Sequence, residues 1–473
     1  MIDISDYKSV TAPFRFFEEF SKIPRGSGNT AAIADYLVSF AEARGLFVYR
    51  DSFDNVVIRK PATTGYENKP TVIFQGHTDI VAEKLQNVNI DMQKEGLRLY
   101  RDGDFLRAEG TTLGADDGVA LAYALAVLDS DEIAHPEFEA VFTSDEEVGL
   151  TGATGLDVSV LKGRMLINID SDEEGIFTAG CAGGARVDIS LSQPTSWCVG
   201  GICRLSVGGL LGGHSGVEID KNRTNAIRAL MKILAALREV RLISVVAGNA
   251  DNAIPRDAIA TFTTRSSAIE VAEAMNKIKA SLPDEEKSAA FSFEKKLGIA
   301  RALGKAESEN LISLILDLPN GVTRMSEDID GLVETSLNLG IARLSDGAAE
   351  LTVSVRSAKG ERKAELLAKI ADICGRHGAA SSVRGEYPAW EYRRESHLRD
   401  VMCEVYKNMY GKDAKVVTIH AGLECGIFSD KIEGLDCVSI GPDNYDIHTP
   451  EERLSIPSFA RVWEYLIEVL KSL

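Results

Sequence analysis

His77 stands in the run Gln75-Gly76-His77-Thr78-Asp79, directly after a short apolar stretch. A histidine with an aspartate two residues on can ligate a metal while the carboxylate orients the ring. Alone, the triplet reads more readily as an exposed loop than as a metal ligand. Gly114-Ala115-Asp116-Asp117-Gly118 precedes an apolar helical stretch. Its two adjacent carboxylates could cap that helix or bridge a pair of cations. Ser144-Asp145-Glu146-Glu147-Val148-Gly149 and Asn168-Ile169-Asp170-Ser171 each follow a strand-like run. The stretch 441–450 places His448 after another. Together these motifs put two histidines and several carboxylates at the ends of apolar strands. Mixed imidazole and carboxylate ligands suit zinc, manganese or cobalt. A two-metal hydrolytic site needs one bridging carboxylate, terminal ligands for each ion and a free carboxylate as base, and this inventory meets that demand.

The elements that must hold these residues alternate in type. Residues 30–45 carry an amphipathic helical pattern, 56–58 and 71–74 read as buried strands, 119–128 as a buried helix, and 139–143 and 165–169 as strands. Strands alternating with helices indicate an α/β fold whose sheet is mixed but mainly parallel. Ligands gather at the carboxyl ends of such strands. From about 185 to 384 the pattern changes to alternating strands with two long helical stretches, 226–240 and 361–377. This region is expected to be an inserted α+β domain of one or two lobes. α/β patterning then returns, with helix at 396–409, strands at 415–419 and 436–440, and helix at 458–473. The expected division is therefore 1–184 with 385–473 as a discontinuous catalytic domain and 185–384 as the insertion.

The chain of 473 residues is 45% hydrophobic and 26% charged, with a formal net charge of −19. Such an acidic surface disfavours nucleic acid and anionic membranes as partners. No apolar stretch approaches the roughly 18 residues of a spanning helix. The polar start at 1–8 lacks the pattern of a secretory leader. The seven cysteines are odd in number and show no CxxC spacing, so they read as reduced thiols. These features favour the cytoplasm.

Over nearly its whole length the sequence resembles the bacterial aminoacyl-histidine dipeptidases. These sit within the larger group of co-catalytic zinc peptidases that includes carboxypeptidase G and carnosinase. Beyond the metal motifs, the resemblance is carried by Gly180-Cys181-Ala182-Gly183-Gly184, Gly212-Gly213-His214-Ser215-Gly216, Asn252-Ala253-Ile254-Pro255-Arg256, Val333-Glu334-Thr335-Ser336-Leu337-Asn338 and His420-Ala421-Gly422-Leu423-Glu424-Cys425-Gly426. It implies a zinc-exopeptidase-like catalytic domain with an inserted lid, and two divalent metal ions, zinc first, with manganese or cobalt as alternatives. His77 and Asp170 would hold one ion, Glu147 and His448 the other, and Asp116 would bridge them. Asp79 would orient His77, and Glu146 would be the general base. A cis peptide is expected between Asp116 and Asp117.

In the lid, the resemblance assigns His214 to the oxyanion and Arg356 to a substrate carboxylate. Asn252 is a further substrate contact, and His420 and Glu424 are candidates for the substrate's amino end. His135, His377 and His397 receive no chemistry, and Trp197 and Trp390 read as packing residues. Two departures stand out: Asp117 where close relatives often carry Asn, and a 217–223 segment poorer in glycine. The implied activity is a metal-dependent dipeptidase acting on dipeptides with a free amino terminus. Aspartate at 170 fits that branch, where deacylases and carboxypeptidases tend to carry glutamate. An N-acyl amino acid amidohydrolase or carboxypeptidase on the same fold is the alternative, followed by a non-catalytic peptide-binding protein. The implied partner is a dipeptide. A homodimer through the lid stays open, with His214 acting in its own chain or in a neighbour's.

Overall fold

A computed structural model describes residues 2–327, 329 and 331–473. They form two compact units. The first comprises Met1–Gly180, Tyr392–Thr418 and Leu423–Leu473, and the second Cys181–Glu391 and Ile419–Gly422.

The first unit is built on an eight-stranded sheet. Its order is Phe47–Arg50, Val56–Lys60, Phe138–Thr143, Val72–His77, Met165–Asn168, Asp436–Ser439, Ile176–Cys181 and Lys415–Ile419. Parallel pairing joins the four central strands, from Phe138–Thr143 to Asp436–Ser439. The outer pairs Phe47–Arg50 with Val56–Lys60 and Val56–Lys60 with Phe138–Thr143 are antiparallel. The mainly parallel character therefore belongs to the centre alone. That centre is what matters for chemistry. In register, His77 faces Thr143 and Gln75 faces Asn168, so parallel strands end side by side and release their loops at one edge.

The strand Val72–His77 is buried along its whole length, as its apolar run requires. The helix Ala115–Asp129 is buried almost all round, which fits a sequence with no polar face. Tyr123 from this helix stacks on Phe459 and Trp463 of the helix Ile456–Ser472, at 4.7 and 5.5 Å between ring centres. Ser455 caps that last helix by accepting from the Ser458 amide, and Pro457 occupies its first turn.

The second unit carries one continuous sheet of nine strands. In its main path the order is Ala290–Leu303, Thr195–Gly208, Ala258–Thr263, Arg241–Ala247, Val333–Ser345, Ala348–Ser357, Gly183–Ser192 and Ala380–Tyr387, with Gly321–Met325 paired to Val333–Ser345. The two-lobe option is thereby corrected: both halves share one sheet and one hydrophobic core. The expectation of two helices is also corrected. Besides Ala226–Ala235 and Gly360–Arg376 the unit holds Ala268–Ala280 and Lys305–Asp317. The helix Ala268–Ala280 buries only Val271 and so has no apolar stripe to read. Its one sequence signal is the capping box formed by Ser267 and Glu270. Trp390 is buried, but Trp197 is 71% exposed on the strand Thr195–Gly208, so it is not a packing residue. All seven cysteines are free thiols. Among the described residues, no helix is long and apolar enough to cross a membrane.

Candidate metal centre

The loops that leave the parallel strands of the first unit bring the acidic and histidine motifs together. His77 closes the strand Val72–His77, and its Nε2 lies 2.9 Å from Asp116 Oδ1 and 3.8 Å from Asp170 Oδ1. His448 Nε2 lies 3.0 Å from the other oxygen of Asp116 and 3.0 Å from Glu147 Oε1. One carboxylate thus faces two histidines, one through each oxygen. Donor atoms of His77, Asp116 and Asp170 lie within 4.8 Å of one another, as do those of Asp116, Glu147 and His448. Glu146 joins His77 and Glu147 in a third such group. Two ligands about 2.0–2.1 Å from a shared tetrahedral ion stand roughly 3.3 Å apart, so these spacings suit shared cations.

The charge balance points the same way. Asp116, Asp170, Glu146 and Glu147 crowd around only two imidazoles. Burial raises Asp170 well above the ordinary carboxyl value, and Asp116 adds to the effect. Burial pushes Glu146 up to about 8, opposed by His77 and reinforced by Glu424, Glu147 and Asp116. Burial works against ionisation of Asp116 too, but hydrogen bonds from His448 and His77 win and hold its carboxyl low. His448 is pushed up to about 10 by its contacts with Asp116 and Glu147. The surrounding carboxylates hold both histidines above the ordinary imidazole value, as expected of a site short of positive charge.

The 146–147 turn and the 113–116 loop are fixed by groups remote in sequence, and the His448 turn by its near neighbours. Asp79 has no exposed surface. Its carboxylate accepts the Glu146 amide at 3.0 Å, the Glu147 amide at 3.4 Å and the Ser27 hydroxyl at 2.8 Å. His77 Nδ1 stands 3.0 Å from the main-chain oxygen of Asp79 and 3.5 Å from its carboxylate. Asp79 therefore orients His77 chiefly through its backbone and uses its side chain to hold the 146–147 turn. The peptide bond between Asp116 and Asp117 is cis, as expected. His448 has φ +63°, in the left-handed region. Its turn is pinned by the Thr449 hydroxyl on Asp446 O and by the Arg453–Asp446 ion pair.

Three buried residues complete this frame, and sequence reasoning passed over two of them, Glu452 and Arg25. Glu452 accepts the amides of Leu113, Gly114, Ala115 and Asp116, at 2.8, 2.9, 2.9 and 3.4 Å. Arg25 donates to Thr78 O at 2.8 Å and to Gly114 O at 2.6 Å. Gly114, at φ +69°, is thus held from both sides. Asp117 accepts the amides of His77 and Ala120, and burial raises its carboxyl well above the usual range. Only the position of Glu452, four residues after His448 in a tight acidic turn, hints at its role in the sequence.

Glu424 has no exposed surface and accepts from Gln75 Nε2 at 2.5 Å and Thr143 Oγ1 at 2.6 Å. Burial pushes it up to about 7. Both bonds go to Oε2, and Oε1 is buried without a hydrogen-bond partner.

The remaining candidates lie in the second unit, where they form a polar cluster of their own. His214 Nδ1 accepts the amides of Gly216 and Val217 at 3.2 and 3.3 Å. That pair of donors fixes the tautomer with the proton on Nε2. Burial keeps the ring neutral by lowering its pKa, and Arg356 adds to this. Glu218 accepts the His214 amide and pairs with Arg223, which gives the 217–223 segment its shape. His420 Nε2 is 2.7 Å from Ser336 Oγ. Its pKa is pushed down to about 4 by burial and then by Arg356. Among the described residues no carboxylate pairs with Arg356. Arg356 Nε, His420 Nδ1 and Ser215 Oγ are buried without hydrogen-bond partners. Asn252 accepts the Ser215 amide through its main chain, while its side chain is exposed. His135, His377 and His397 lie outside these clusters.

Comparison with known proteins agrees with this geometry. Peptidase family M20/M25/M40 matches residues 73–472. The chain is 36% identical over 467 residues to the cytosol non-specific dipeptidase of Escherichia coli K12, covering 97% of this chain and 96% of the relative. Among solved structures it is similar to the aminoacylhistidine dipeptidase from Vibrio alginolyticus, with a TM-score of 0.91, 33% identity, and coverage of 98% of this chain and 96% of that one. Aminopeptidase PepT from Bacillus cereus shares the fold, with a TM-score of 0.58, 16% identity and 98% coverage of both chains.

Proposed function

Because the chain belongs to peptidase family M20/M25/M40 and is thereby a peptide-bond hydrolase, we propose that it is a two-metal dipeptidase acting on dipeptides with a free amino terminus. The observation that carries this reading is Asp116, whose two oxygens each face a different histidine. His77 and Asp170 would hold one divalent cation, His448 and Glu147 the other, with Asp116 shared. The donor set suits zinc, with manganese or cobalt as alternatives. When bound by such a set, a cation pair polarises a carbonyl and acidifies a water.

The protein's own residues supply the rest. Glu146 takes the proton of the attacking water and passes it to the leaving amine. His214, with its proton on Nε2, donates to the oxyanion of the tetrahedral intermediate. Arg356 receives the substrate carboxylate, a role supported by a guanidinium whose Nε is buried without a hydrogen-bond partner and that has no acidic partner among the described residues. Asn252 and His420 are proposed as further substrate contacts. The Escherichia coli relative is named for the cytosol, and the same compartment is proposed here.

The test is cleavage of L-alanyl-L-histidine beside its N-acetylated form, with and without chelator. Cleavage of the free peptide alone, lost with chelator and restored by zinc, manganese or cobalt, is the expected result. Preference for the acetylated peptide would move the chain to the amidohydrolase reading. Cleavage of neither would overturn the catalytic assignment.

A further inference from the structure

Four residues of the second unit stand in one row across four strands. Ser336 pairs with Arg356, Arg356 with Gly184, and Gly184 with Tyr387. Residues in register project from the same face of a sheet. Arg356 and Tyr387 are two strands apart, so roughly 10 Å separates their backbones. Their tips nevertheless meet: Arg356 Nη1 donates to the Tyr387 hydroxyl at 3.0 Å. They meet across Gly184, which has no side chain to stand between them. A Cβ at Gly184 would lie 2.5 Å from both Cζ and the hydroxyl oxygen of Tyr387. Gly422 closes the slot on another side, where a Cβ would lie 2.8 Å from Cε2 of the same ring. The backbone of Tyr387 is itself held, because Lys363 Nζ donates to its carbonyl at 2.6 Å.

We propose that Tyr387 is a positioning residue that aims Arg356 at the substrate carboxylate, and that Gly184 and Gly422 form the slot that admits its ring. This inference rests on the assignment of Arg356 to that carboxylate. A long flexible guanidinium side chain loses rotamer freedom when it binds an anion. One neutral acceptor on Nη1 restrains it without cancelling its charge, as a carboxylate partner would. The hydroxyl thus favours binding of a carboxyl-terminal oxygen pair and is indifferent to a substrate that lacks one.

The experiment compares L-alanyl-L-alanine with its carboxyl-terminal amide on the metal-loaded full chain. KM is measured where the peptide is turned over, and the competitive inhibition constant where it is not. Arg356→Met serves as the reference and is expected to weaken the acid far more than the amide. Tyr387→Phe, which keeps the ring and its packing, is expected to raise KM for the acid about three- to tenfold, the cost of ordering one flexible side chain on binding. Its kcat on the acid and its affinity for the amide should stay within about twofold of the wild type. Gly184→Ala, which fills the slot, is expected to show the same selective pattern. An equal loss for acid and amide in Tyr387→Phe, or no loss for either, overturns the inference while leaving Arg356 in place. If Arg356→Met itself fails to discriminate acid from amide, the assignment of Arg356 fails and this inference falls with it.

Discussion

Replacing Glu452 by glutamine tests whether the frame around the metal ligands is as tightly built as its geometry indicates. Glu452 is 2% exposed, and its two oxygens divide four main-chain amides between them. Oε2 takes Leu113 and Gly114, and Oε1 takes Ala115 and Asp116. Glutamine has the same shape but only one acceptor oxygen. Whichever way its amide turns, an NH2 faces two of those N–H groups. Each buried donor left without an acceptor costs about 1–3 kcal/mol. Removing the charge returns part of this, because the wild-type carboxylate is itself desolvated. A net loss of about 2–3 kcal/mol follows. For the unit of about 260 residues that holds Glu452, each kcal/mol shifts the thermal midpoint by roughly 2 °C, so Glu452→Gln should unfold roughly 4–6 °C below the wild type. The measurement belongs in excess chelator at pH 8, where metal binding contributes nothing to either protein. Metal added back should then bind the variant roughly 10- to 100-fold more weakly, since Asp116 follows directly on the disturbed turn. A midpoint within about 2 °C of the wild type in chelator would refute the reasoning.

Three further outcomes follow from the site. Glu146→Gln should lower turnover by at least about 100-fold through loss of proton transfer, with metal content, read by elemental analysis, unchanged; near-normal activity would remove Glu146 from its role. His214→Ala should reduce kcat more than it raises KM, as expected of an interaction made mainly in the transition state; a change confined to KM would contradict that. Without metal, both His448, raised from 6.5 to about 10, and Glu146, raised from 4.5 to about 8, hold protons that the unfolded chain has released. Their contributions are lost as pH climbs, so the thermal midpoint in chelator should fall between pH 6.5 and 10. Saturating metal should flatten that slope, because bound cations replace those protons; a chelated protein whose midpoint rises over this range would contradict the charge assignment.

The metal motifs were legible because each is local: a ligand directly after an apolar strand, with the strand and its exit loop contiguous in sequence. Parallel pairing then delivers those exits to one edge, and the periodicity of 139–143 and 165–169 was enough to foresee that. What escaped detection depends on pairings between distant segments. Arg25 reads as one more basic residue in a glycine-containing turn until Thr78 O and Gly114 O are seen to converge on it. The row from Ser336 to Tyr387 is set by register between strands far apart in the chain, and no periodicity within a single strand encodes it. Glu424 was legible only in part for a related reason. Its motif was recognisable, but its burial against Gln75 and Thr143 is a property of the folded sheet.

The acidic residues of the first unit divide into two populations that look alike in sequence. Asp79 and Glu452 have their oxygens turned toward main-chain amides, two and four of them respectively. Asp116, Asp170 and Glu147 accept no main-chain N–H among the described residues, and face one another and two imidazoles instead. A buried carboxylate satisfied by amides is stable by itself. A buried group of carboxylates that is not so satisfied repels itself, and protons on His77 and His448 offset only part of that repulsion. The first population builds the loops and the second leaves them short of positive charge. The loops are held by residues outside the proposed ligand set, as expected of ligand positions that outlast loss of the cations. The resulting unfavourable charge is then relieved by their return, so folding and metal affinity are opposed within the site yet supported by the same frame.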